Sequence, residues 1–224
     1  MKTSLILLVI LSLVAVNSAS ASWSLASDFS ATSNPSGAWS YGQAASIGSF
    51  EIFPWHGTDG SGGPVWSSRS DFLTVTPTLA NVWKNTTSTV HYGAQPGQVT
   101  LHPMQNESKM AVVRWTSDYD GDATITGSFG QGDYGAVGLY IAKTASSGTT
   151  TFFSIPSTDS TLSFNITTSI LVGDKIDFLV STGGDGGGWD TTPLDVTIVP
   201  EPATISLLGV AAMGLLRGRR HRKQ

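Results

Sequence analysis

Cysteine is absent from all 224 residues, which rules out disulfides, thiolate metal sites and cysteine nucleophiles together. Charge is sparse, at 12% of the chain, and glutamate is sparser still, with only Glu51, Glu107 and Glu201. Histidine is nearly as thin: outside the extreme C-terminus only His56, His91 and His102 occur, spaced too far apart for a zinc pattern. No long helical period is found, and a chain so poor in Lys, Glu and Leu does not make a helical bundle. What is there instead is 25 Gly, 7 Trp and 40% hydrophobic residues. That is too aromatic for a disordered chain and suits an all-β domain with many glycine turns.

Short strand-like runs follow one another through the second half. Met110 to Thr116 is the strongest, and Asp122 to Phe129 alternates Ala123, Ile125, Gly127 and Phe129 against threonine and serine. Asp120-Gly121 between them is a hairpin signal. The pattern continues over 136–143, 151–155, 161–167 and 175–181, and ends at 194–199. This cadence predicts one β-sandwich of jelly-roll type over residues 22–198. The first half is less regular, with Gly60-Ser61-Gly62-Gly63-Pro64 marking a loop.

Both ends address the chain to a membrane. Lys2, the apolar run Leu5 to Val16, and Ala19-Ser20-Ala21 form a secretory signal over residues 1–21, cleaved after Ala21 by signal peptidase of the export machinery. At the other end Pro200-Glu201-Pro202 precedes an apolar stretch, 203–216, and then a basic tail, 217–224, with Arg217, Arg219, Arg220, Arg222 and Lys223. Fourteen residues make about 21 Å of helix, a short transmembrane helix with its basic end on the cytoplasmic side. This order of features resembles the PEP-CTERM sorting signal, here residues 199–224. The resemblance implies transient membrane anchoring at the inner membrane and an exosortase that recognises the tripeptide and removes the helix and tail. It also implies delivery to the cell surface or the extracellular polysaccharide matrix. A looser resemblance rests on Leu101-His102-Pro103, on Ala111 to Trp115, on Gly121 and on Gly173 to Phe178. That layout is similar to jelly-roll passengers of some PEP-CTERM proteins and to carbohydrate-binding sandwiches.

Without its two ends the chain is strongly acidic. Residues 22–202 hold six basic and sixteen acidic side chains, a formal charge of −10. Such a surface repels phosphate backbones, which argues against nucleic acid and leaves cations, neutral glycans or basic surfaces as partners. Asp59-Gly60-Ser61-Gly62-Gly63-Pro64 scrambles the nucleophile box of trypsin-like proteases, and only His56 precedes Ser61, five residues away, which leaves no room for the upstream His and Asp of that fold's order. No acidic pair stands out for glycoside hydrolysis. The expectation is therefore a non-enzymatic exported protein that binds exopolysaccharide. The alternatives are a structural surface protein without a ligand and, behind it, a glycan hydrolase. Trp55, Trp66 and Trp189 lie beside glycine-rich loops and are the candidates for stacking on sugars, or else they fill the core. Asp118, Asp120 and Asp122 alternate around a turn and either hold calcium through hard oxygen ligands or form a solvated hairpin. The loop Gly183 to Asp190 either presents Trp189 to a ligand or simply connects the last two strands.

Overall fold

Alternation of apolar and polar side chains decides the strands, because successive residues of a strand face opposite sides of the sheet. The computed structural model describes residues 22–201, apart from 59, 61, 62 and 107. The signal segment with Ala19 and Ala21, Pro202, the apolar stretch and the basic tail with Arg217, Arg219, Arg220, Arg222 and Lys223 lie outside the described residues.

The chain runs through β1 (Trp23–Ser24), one helical turn α1 (Leu25–Asp28), β2 (Trp39–Ala44), β3 (Glu51–Ile52), β4 (Trp55–Thr58) and β5 (Pro64–Ser67). It continues with β6 (Asn81–Lys84), β7 (Val99–His102), β8 (Met110–Thr116), β9 (Gly121–Phe129) and β10 (Val137–Ala145). The last four strands are β11 (Gly148–Thr158), β12 (Leu162–Ile170), β13 (Lys175–Ser181) and β14 (Thr192–Pro200). One sheet has the order β12-β9-β14-β7-β6-β5-β4, with β1 added beside β14; the other has the order β11-β10-β13-β8-β2-β3. From β8 onward the chain changes sheet at almost every connection, the crossing habit of a jelly-roll-type sandwich. Among the described residues no helix is long and apolar enough to cross a membrane.

The inner faces meet in one core that includes Trp39, Tyr41, Val82, Leu101, Val113, Trp115, Ile125, Phe129, Ile141, Phe178 and Ile198. In β8 the residues Ala111, Val113 and Trp115 face this core, while Val112 packs on the outer side of the second sheet with Ala44, Ala142 and Leu179. Arg114, on that outer side, grips Asp177 directly across the ladder with two bonds of 2.6 and 2.8 Å. Its guanidinium also lies 4.1 Å from the centre of the Phe50 ring. Asp177 is fully buried, so deleting Arg114 would strand a charge without solvent or partner, a loss of about 3–5 kcal/mol.

The hairpin expected at Asp120-Gly121 is not formed. β8 and β9 belong to different sheets, and residues 117–120 carry the chain from one to the other. The turn signal is local, whereas the apolar faces of the two strands are buried only when they oppose each other across the sandwich. The crossing is tied to the β12–β13 turn, with Ser117 N–H donating to the Asp174 carbonyl and Val172 N–H to Asp120 Oδ1.

A cleft on the outer face of the first sheet

β6 and β7 send Val82, Val99 and Leu101 inward, so Asn81, Trp83 and His102 necessarily face outward. Asn81 and His102 stand directly opposite each other in the ladder. Over this part of the sheet long connections rise and leave a cleft of about 360 Å³. Phe72, Leu73 and Thr78 come from the β5–β6 connection, and Tyr92 from the β6–β7 loop. Gln105, Asp133, Trp189 and Thr191 come from the loops that follow β7, β9 and β13.

Glycines make this convergence possible. A Cβ on Gly93 would lie 2.3 Å from the Gly132 carbonyl oxygen, and one on Gly132 would lie 1.9 Å from that of Thr191. Three loops distant in sequence thus touch backbone to backbone, an approach that any side chain would block. The chain also spends backbone conformation here. Tyr92 and Gly93 both take left-handed φ, as a type I′ turn demands, and Trp189 has φ of 68°. A non-glycine residue in that region costs of order 1 kcal/mol or more, and such strain gathers at binding sites. Both strained residues are aromatic and both are presented to solvent, Trp189 at 66% exposure and Tyr92 at 50%. Tyr92 meets the Trp83 indole edge to face at 6.0 Å, so part of the aromatic wall rests on a buried ring.

The polar groups of the cleft are held in place. Gln105 Oε1 accepts from Thr78 N–H at 3.2 Å, and Gln105 N–H donates to the Thr78 carbonyl at 3.0 Å. His102 Nδ1 lies 2.7 Å from the Pro103 carbonyl, which can only accept, so the proton sits on Nδ1 and Nε2 is left as an acceptor. Burial keeps this imidazole neutral by holding it below its ordinary range, although Asp133 pulls the other way. Behind the wall lies Asp190. It is 0% exposed, and neither carboxylate oxygen has a hydrogen-bond partner. Burial, and then the charges of Asp185 and Asp133, push its carboxyl up to about 8.

The residues singled out in the sequence part company. Trp189 stands on the cleft rim. Trp66 does not reach the surface: at 3% exposure it belongs to the core, stacks on Tyr41 and donates from Nε1 to the Ser30 carbonyl at 2.7 Å. The reason is register, since Trp66 lies opposite Val82 on the inward face of the first sheet. Trp55 is half-buried, tilted against Phe72 at 5.8 Å, in the small apolar cluster beneath the cleft. Asp118 and Asp120 are exposed on the crossing between sheets, and Asp122 is exposed at the start of β9, opposite Ser169. Among the described residues no three His, Asp or Glu side chains gather closely enough to make a metal centre from side chains alone. Tyr92, Asp133 and Asp190 were not singled out as site residues by their sequence context, and His102 entered only as one of three scattered histidines and within the loose resemblance at 101–103; the Tyr92-Gly93 turn pair offered a local signal.

Residues 199–223 match the family model of the PEP-CTERM protein-sorting motif. The chain carries a PEP-CTERM sorting motif. That motif marks it as an exported protein. In the PEP-CTERM motif, Pro200 closes β14, Glu201 N–H donates to the Asp122 carbonyl at 2.8 Å, and Thr124 Oγ1 donates to the Glu201 carboxylate. No curated protein matches the chain. Among solved structures it is similar to a family 29 carbohydrate-binding module, at 13% identity over 46% of this chain and 67% of that one, with a TM-score of 0.32. It is similar to a family 35 carbohydrate-binding module from Clostridium thermocellum, at 12% identity over 53% and 90%, with a TM-score of 0.31. An arabinose-bound GH51 α-L-arabinofuranosidase matches at 13% identity over 58% of this chain, spanning a quarter (25%) of that enzyme, with a TM-score of 0.36.

Proposed function

We propose that this PEP-CTERM protein is a glycan-binding protein of the cell surface or extracellular matrix, and that the cleft over β6 and β7 is where it holds a neutral polysaccharide. The observation that carries this reading is the pair Trp189 and Tyr92: two exposed rings beside a cleft floored by polar groups. Sugar rings offer apolar C–H faces to aromatic planes and hydroxyls to groups such as Asn81, Gln105, Asp133 and the His102 Nε2 acceptor. The net charge of −10 over residues 22–202 favours neutral over acidic glycans. Binding rather than hydrolysis is supported by the lining, in which Asp133 is the one carboxylate among the described residues; a glycosidase needs two across the scissile bond.

Delivery belongs to the same proposal. Pro200, Glu201 and Pro202 are the residues an exosortase would recognise before removing the apolar stretch and basic tail. Mass spectrometry of the surface-released protein is expected to find a start near Ser22 and nothing far beyond Pro202. Glu201→Ala is expected to stay membrane-associated and full length; normal processing of that variant refutes the assignment. For the cleft, a glycan array of neutral polysaccharides is the test. Trp189→Ala and Tyr92→Ala are each expected to lower affinity several-fold, since one stacking contact contributes on the order of 1 kcal/mol. Absence of binding by the parent chain, or equal binding by both variants, favours a structural surface protein instead.

A further inference from the structure

Both terminal segments leave the sandwich at the same end. β1 runs antiparallel to β14 with Trp23 opposite Ile198, so Ser22 emerges beside the last residues of β14. β14 closes at Pro200, opposite Ala123 near the start of β9. Only Pro202 then separates Glu201 from the apolar sequence that begins at 203. The turn between β12 and β13 lies at this end as well, because Ile170 pairs with Gly121 and Lys175 with Thr116. Its tip carries two exposed apolar side chains, Leu171 at 59% and Val172 at 62%. They are held in place. Val172 N–H donates to Asp120 Oδ1 at 2.6 Å and Leu171 N–H to Asp174 Oδ2 at 3.1 Å, while Lys143 Nζ pairs with the same Asp174 oxygen at 2.9 Å. Gln105, Asp133 and Trp189 belong to the opposite end, where β14 begins with Thr192 facing Leu101. The nine residues of β14 set the two ends about 26 Å apart.

We propose that Leu171 and Val172 rest in the lipid surface, so that the unprocessed protein stands on the bilayer by this end with its cleft turned away from it. The proposal rests on the reading of 203–216 as a membrane segment. Two extended residues reach about 7 Å, so that segment cannot enter the bilayer without bringing the end of the sandwich to the headgroups. Its length presses the same way. Fourteen apolar residues fall short of the hydrocarbon core, and such a mismatch draws the flanking residues into the interface. Two side chains would not hold a free protein on a membrane, but tethering makes the contact intramolecular and raises its effective concentration. The charge at this end selects the lipid. Exposed Asp118, Asp120 and Asp122 outnumber Lys143 and Lys175, so the contact is apolar and suits a zwitterionic surface rather than an anionic one. Seated in this way, Pro200 and Glu201 lie at headgroup level, within reach of a membrane-bound processing enzyme, while Tyr92 and Trp189 are offered to glycans beyond.

The absence of cysteine supplies the test, since a single introduced thiol takes a spin label at one place. Val172→Cys is labelled at the tip, and Tyr134→Cys, a position 90% exposed at the opposite end, is the control. Both are prepared as the full-length chain in phosphatidylcholine nanodiscs. The label at 172 is expected to relax readily with oxygen, which concentrates in lipid, and to be several-fold less accessible than the label at 134 to a water-soluble nickel chelate. Leu171→Ser in the Val172→Cys chain is expected to lose most of that shielding with no change in melting temperature. Added phosphatidylglycerol is expected to reduce it. A label at 172 as open to nickel as the one at 134, in a chain that stays with its nanodisc, overturns the proposal and leaves the membrane segment standing. A chain that does not stay with the nanodisc overturns both. Shielding that survives Leu171→Ser, or that grows with phosphatidylglycerol, overturns the apolar contact.

Discussion

Residues 118–122 and 183–190 resemble each other in composition: aspartates interleaved with glycine, each beside an aromatic residue. Folding separates them completely. In the first, Asp120 lies in solvent and spends one oxygen on the Val172 N–H at 2.6 Å, while the ring of Tyr119 lies over Gly121. In the second, Asp190 is sealed from water with both oxygens unpartnered, and Trp189 turns outward. The difference teaches that a carboxylate's chemistry is set by what covers it. Water and a backbone donor make Asp120 an ordinary loop residue, and the bare backbone of Gly135 lets Asp190 in where no solvent follows.

That contrast breaks most readily at the glycines. Gly135→Val places carbon against Asp190 Oδ1 and two carbonyls, and is expected to cost about 3 kcal/mol, or about 9 °C in melting temperature. Gly121→Ala meets the movable Tyr119 ring and a φ of 144°, where a side chain strains the backbone, and is expected to cost about 1–2 kcal/mol. Scanning calorimetry of the two variants compares them directly, and equal losses would erase the distinction.

A pH series sharpens it next. Burial raises the folded pKa of the Asp190 carboxyl to about 8 from its ordinary 3.8. Between those values the unfolded chain has already released a proton that the fold retains, so this group's contribution to stability is lost as pH rises through about 8. His102 carries the opposite sign, since its depressed folded pKa removes stability as pH falls below the ordinary imidazole range. The difference between the parent and Asp190→Asn melting profiles isolates the carboxylate, with Asp185 and Asp133 common to both. A flat difference contradicts the buried, unpaired placement.

Two smaller effects complete the comparison. Asp120→Ala removes one exposed hydrogen bond, to the Val172 N–H, and is expected to cost about 0.5 kcal/mol in urea unfolding. Trp189→Ala is expected to alter stability by less than about 0.5 kcal/mol, since the indole lies in solvent. A larger loss in denaturant unfolding would mean that the ring packs rather than waits for a ligand.

Much of the sandwich was legible in the chain. The bounds of β8 and β13 coincide with the runs Met110 to Thr116 and Lys175 to Ser181 because each is a compact, largely buried run flanked by turn residues. The four-residue strands β6 and β7 were not legible, since Asn-Val-Trp-Lys and Val-Thr-Leu-His are too short to show a period. Trp66 and Trp189 both sit near glycines, and no local feature says that one faces Val82 across a ladder while the other tops a strained turn.

By itself the sequence determined the sorting motif, with the export it implies, and the class of fold: a PEP-CTERM motif at 199–223, and a sandwich from short strands. These are properties of contiguous residues, because a sorting motif is recognised as a string and alternation is local to each strand. Tertiary structure alone decided that β8 and β9 part into different sheets, and that Tyr92, His102, Asp133 and Trp189 share one cleft. It alone left Asp190 without water or donor. Each of these follows from backbone contacts between loops far apart in the chain, at Gly93, Gly132 and Gly135, and such contacts leave no periodic trace in the residues that make them.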